Sequence, residues 1–165
     1  MSTTSIESEA HACLDQAVLQ IMLDHEQQRP ISEAEVARIV STPGNVPASL
    51  KRLRVAGLIH RWNDLATATL AAIYYHEITQ SKDPDSRHKH VWDSAVLESL
   101  IERGNDGQGP LTVEQLWHAF GAKKKQKHLI TDALDRLEAT GLIERRAGQS
   151  IASEVAQTLD RILSL

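Results

Sequence analysis

Aromatic residues make up only 4% of this chain, and it has a single cysteine. Each shortage excludes something. One cysteine, Cys13, leaves no intramolecular disulfide framework and fits a reducing compartment. So few aromatics argue against a β-sandwich and suit helical cores built on Leu, Ile, Val and Ala. No apolar run reaches the roughly 18 residues of a membrane span. The start, Met1-Ser-Thr-Thr-Ser-Ile-Glu, has neither a basic nor an apolar region of a secretory signal. The expectation is a cytoplasmic protein with no membrane partner. A basic excess is also missing: net charge is −4, with nine acids against seven bases in residues 1–82 and thirteen against eleven in 83–165. That balance weighs mildly against nucleic acid, so the placement of the bases matters more than their number. There is no Gly-rich phosphate loop, no G-x-S-x-G and no H-E-x-x-H. No enzyme activity and no cofactor are expected.

What the 165 residues do contain is a repeated phrase. Residues 50–61 read Leu-Lys-Arg-Leu-Arg-Val-Ala-Gly-Leu-Ile-His-Arg, and residues 134–145 read Leu-Asp-Arg-Leu-Glu-Ala-Thr-Gly-Leu-Ile-Glu-Arg. Leucines three apart give a helix an apolar edge. Glycine suits the left-handed position that ends a helix. Leu-Ile then begins an extended segment. Upstream, Asp93-Ser-Ala-Val-Leu97 matches Asp15-Gln-Ala-Val-Leu19, and Pro110-Leu-Thr matches Pro30-Ile-Ser. The offsets grow from 78 through 80 to 84, as in a tandem repeat with two loop insertions: Gly104–Gly109 and the run Lys123-Lys124-Lys125.

In chain order, Thr4-x-x-Glu7 is a candidate capping box. It leads a helix with Ala10, Cys13, Leu14, Ala17, Val18, Ile21 and Met22 on its apolar face, ending near His25. Ser32-x-x-Glu35 starts a short helix, and Ser41–Asn45 is a turn. A third helix over 47–56 carries Leu50 and Leu53 inward. Residues 65–80 read as a short strand running into a helix. Residues 81–90, polar and interrupted by Pro84, are the linker. The last helix is expected from about Ser150, with Ile151, Val155, Leu159 and Ile162 as its stripe. Trp62, Trp92 and Trp117 are expected in cores or at a domain junction. The pair Tyr74-Tyr75 suggests a core position for at least one ring, or an effector cavity.

Helix, glycine stop and short strand, twice over, resemble the third helix and first wing strand of winged helix-turn-helix proteins, MarR-like regulators among them. The resemblance implies a mainly α fold with small β-hairpin wings: a first domain over 1–80, a linker over 81–90 and a second domain over 91–165. It implies double-stranded DNA as partner. The third helices would enter the groove, with wings near 61–64 and 145–149. The corresponding residues are Ser49, Lys51, Arg52, Arg54 and Arg61 in the first copy, where no acid lies between Asn45 and Arg61. In the second they are Lys123, Lys124, Lys125, Lys127, His128, Arg145 and Arg146. Asp132 and Asp135 fall on the outer side there, so the first domain is expected to read bases and the second to hold backbone. The wings are shorter than the MarR-like ones and lack a tip arginine. By the same resemblance, Ile151, Val155, Leu159 and Ile162, with residues 6–14, would pair two chains as a homodimer. They serve equally to cover their own domain. The alternative function is a protein-interaction adaptor of paired winged helices, like the kleisin-partner subunits of bacterial condensin. His88 and His90, with Asp83 and Asp85, raise a metal question, but the spacing fits no structural zinc site, and a polar linker is the simpler reading.

Overall fold

Asp15 and Asp93 each head an apolar stripe at the same spacing, Val18, Leu19, Met22 and Leu23 in one copy and Val96, Leu97, Leu100 and Ile101 in the other. The computed structural model describes residues 3–25, 29–80 and 90–164, with side chains from residue 7 onward. The Thr4-x-x-Glu7 box and the His88, Asp83 and Asp85 group lie outside the described residues and side chains. By its contacts the chain divides into two compact units, Met1–Ile73 with Thr158–Leu165, and Tyr74–Gln157. The division differs from a cut at residues 81–90, because α4 and the last helix each contribute to both units.

In the first unit, α1 (Thr3–Asp24) buries Leu14, Val18, Leu19, Met22 and Leu23. Cys13 is exposed, so the apolar face is turned away from the Ala10–Cys13 edge expected of it. After β1 (Ile31–Ser32), the Ser32 hydroxyl accepts from the Glu35 amide and caps α2 (Glu33–Ile39). The turn before α3 (Val46–Val55) requires Gly44, at φ 153°. A Cβ there would stand 2.5 Å from Cδ2 of the buried Leu14. Asn45 caps α3 by accepting from the Ala48 amide at 3.0 Å. Val46, Ser49, Leu50 and Leu53 face the core. Gly57, at φ 75°, ends the helix: its amide donates to Arg54 and the Leu58 amide donates back to Leu53, so two orphan carbonyls are satisfied. A hairpin follows, β2 (Ile59–Trp62) against β3 (Leu65–Ala68), with β1 on the far side of β3. Then comes α4 (Leu70–Gln80).

The second half of the chain repeats this order: α5 (Val91–Asn105), β4 (Leu111–Thr112), α6 (Val113–Ala119), a 3-10 turn (Lys124–Gln126), α7 (Lys127–Ala139), β5 (Ile143–Arg146), β6 (Gln149–Ala152) and α8 (Glu154–Leu163). Val96, Leu97, Leu100 and Ile101 repeat the α1 stripe, and Ile130, Ala133, Leu134 and Leu137 repeat that of α3. The second sheet has the same order and register as the first: Ile143 faces Ala152 as Ile59 faces Ala68, and Leu111 faces Ser150 as Ile31 faces Ala66. Gly141, at φ 81°, repeats the helix stop. The repeat also runs past the phrase that announced it. The Thr69 hydroxyl donates to the Gly57 carbonyl (3.1 Å) and accepts from the Ala72 amide. Ser153 does the same with the Gly141 carbonyl (2.8 Å) and the Ala156 amide.

Two expectations for the C-terminus are corrected. Residues 149–152 are strand, so Ile151 belongs to β6 and the last helix begins at Glu154. Its buried stripe is Ala156, Leu159 and Leu163, set by the i, i+3, i+7 spacing counted from that later start. Leu159 is fully buried within the chain, Val155 and Ile162 are half-buried, and Ile151 is exposed. Among the described residues no helix is long and apolar enough to cross a membrane.

Candidate nucleic-acid interface

The first of the two arginines shared by both copies of the phrase is tied to a carboxylate within the chain. The Arg52 guanidinium grips Asp15 on α1 through two parallel hydrogen bonds, Nε to Oδ2 at 2.9 Å and a terminal nitrogen to Oδ1 at 2.6 Å. Ser49, expected on the outer side, is fully buried and donates its hydroxyl to the same carboxylate at 2.6 Å. A carboxylate placed at the head of an apolar stripe needs such partners, because burying an unpaired charge costs several kcal/mol. The second unit has the same fork, Arg136 on Asp93 at 2.8 and 2.6 Å. Position 133, the counterpart of Ser49, is alanine, and the missing hydroxyl comes instead from Tyr74 on α4. Burial and the hydrogen bond to Asp93 raise the Tyr74 phenol well above its ordinary value. The bonds to Asp15 and Asp93 hold both guanidiniums further into their charged form. Tyr74 and Tyr75 are thus structural: Tyr75 is buried, and Tyr74 is spent on Asp93.

His90 is part of this packing rather than of a polar linker. It is buried, with Nδ1 3.3 Å from the Tyr74 oxygen and Nε2 3.1 Å from Glu77. Among the described residues no group of His, Cys, Asp or Glu is arranged to hold a metal ion.

Other expected contact residues are also engaged within the chain. Arg61 pairs with Glu33, and Lys127 pairs with Glu114 while lying 5.3 Å above the Trp117 ring. Arg145 bonds to Asp135 at 2.6 Å and reaches Glu138 at 3.5 Å, tying the β5–β6 hairpin to the outer face of α7. Arg146, largely exposed, lies 3.4 Å from Glu144. Sequence reasoning missed these acids because the cations follow them by 10 to 43 residues, Arg145–Glu138 and Arg146–Glu144 excepted.

Of the expected contact residues, a smaller set stays exposed and without an ion pair among the described residues. Lys51 and Arg54 occupy the outer face of α3, beside Val55, which is 81% exposed. Lys123, Lys124 and Lys125 occupy the turn before α7, with His128 on its first turn. That turn is shaped by its neighbours. The Gln126 side chain accepts from the Lys123 amide at 2.9 Å, and the Trp117 indole donates to the Ala122 carbonyl at 2.6 Å. Trp117 and Trp92 are half-buried, whereas Trp62, near the tip of the first hairpin, is 43% exposed and outside the core. Comparison with protein-family models, with curated proteins and with solved structures finds no match.

Proposed function

We propose that each unit is a winged helix-turn-helix and that the protein is a DNA-binding regulator that holds duplex chiefly by its phosphates. The observation that carries this reading is the turn Lys123–Lys125, three exposed cations at the N-terminal end of α7. Helix N-termini and lysines both favour phosphate oxygens. Lys51 and Arg54 on the matching helix of the first unit supply a second set of cations. Base reading by Arg52 is not part of the proposal, since its fork is filled by Asp15. The role is binding, not catalysis.

Fluorescence anisotropy on labelled duplexes across a salt series tests the reading. Replacing Lys123, Lys124 and Lys125 by Gln is expected to weaken binding to all sequences alike. It should also flatten the log–log salt dependence by up to about 0.9 per lost phosphate contact. Wild-type protein that binds no duplex at low salt would exclude DNA. It would leave the adaptor reading, which the exposed Val55 and the acidic outer face of α7 favour.

A further inference from the structure

The repeat places the same helix face twice and gives it opposite charge. On α7, Asp132, Asp135 and Glu138 are exposed at i, i+3 and i+6, on one side of the helix. The corresponding α3 positions, 84 residues earlier, are Ala48, Lys51 and Arg54. Neighbouring charges leave the contrast standing. On α3, Arg52 is balanced by Asp15 and Arg61 by Glu33, so Lys51 and Arg54 are the uncompensated pair. On α7, Arg145 is shared between Asp135 at 2.6 Å and Glu138 at 3.5 Å, so the three carboxylates of that face keep a net charge of −2. Each face thus carries a net two charges of one sign, on the same helix of the two repeats.

We propose that the Lys51–Arg54 face of α3 is an interaction surface for a second copy of this chain, which it meets with the outer face of α7. Two features support this occupant. The two faces are complementary in sign and in net charge. Val55 beside Arg54 and Ala139 beside Glu138, both exposed, give the contact an apolar edge. Such a contact is heterologous: each copy offers one α3 face and one α7 face. Copies therefore add head to tail and form a ring where the rotation closes or a filament where it does not. The inference goes beyond DNA binding, and its test uses protein alone.

The test is sedimentation velocity on the full chain at low salt, with two charge-neutral variants. One is Lys51→Gln with Arg54→Gln; the other is Asp132→Asn with Glu138→Gln. All four positions are exposed, and circular dichroism checks that both variants keep the wild-type helical signal. Wild type is expected to associate with rising concentration, and less so when salt is raised from about 50 to about 500 mM. Each variant alone should be monomeric. Mixed, the two should form a 1:1 dimer that grows no further, because one intact α3 face and one intact α7 face remain. Wild type monomeric at every concentration would overturn the proposal. So would a variant that associates as well as wild type, or a mixture that stays monomeric.

Discussion

An arginine fork on a buried carboxylate explains the best-matched letter of the repeat. Arg52 and Arg136 recur because Asp15 and Asp93 recur, and each pair bolts a first helix to a third. Both halves of the match are visible in the sequence. Their partnership is not, since 37 and 43 residues separate the members. Arg52→Ala is therefore expected to lower stability by about 1–3 kcal/mol, as the buried Asp15 carboxylate loses its fork while the exposed part of Arg52 contributes little. Urea denaturation measures it; unchanged stability would return Arg52 to the outer surface. Gly44→Ala should also destabilise, by about 1–3 kcal/mol, because its Cβ meets Leu14 on a backbone at φ 153°. Ala147 is the opposite case. It holds φ 51° with no compensating side chain, so Ala147→Gly is expected to raise the urea midpoint by up to about 1 kcal/mol of stability.

Elements were more legible than side-chain engagements. The helix over 46–55, the hairpin after Gly57 and the helix beyond it follow from leucine spacing, glycine and alternation. The two-residue strands β1 and β4 are too short for periodicity to register, and Ile151 and Val155, four apart, mimic a helical stripe although the strand buries the small Ser150 and Ala152 instead. The pairs Ala68-Thr69 and Ala152-Ser153, 84 residues apart, carried the signal that both hairpins lead into a capped helix. Tyr74 adds a pH dependence to α4. Its raised phenol, from burial first and Asp93 second, means that the folded state prefers the protonated form. That contribution is complete below the unfolded value near about 10 and is lost as pH climbs toward the folded one. Urea midpoints should fall for wild type above about pH 10, and Tyr74→Phe should show a shallower fall. Parallel curves would mean that the phenol carries no such linkage.

At the scale of the whole molecule, net charge is −4, and among the described residues the expected contact cations left without an ion pair lie in a few places, of which both proposed partners use one. The α3 face offers Lys51 and Arg54 to duplex and to a second copy alike. Phosphates and the α7 carboxylates present the same sign, so one face cannot hold both at once. The lysine turn before α7 is not shared in this way, and it can keep duplex while α3 changes partner. Adding unlabelled duplex to the associated protein is therefore expected to return it to single copies, each on DNA. The Lys51→Gln, Arg54→Gln variant should retain duplex binding through Lys123–Lys125, with a salt slope reduced by up to about 1.8 for two lost contacts. Analytical ultracentrifugation with protein and DNA absorbance followed separately distinguishes the outcomes. Co-sedimenting assemblies that persist at saturating duplex would mean that DNA and the second copy occupy different faces, and would remove α3 from the DNA-binding surface.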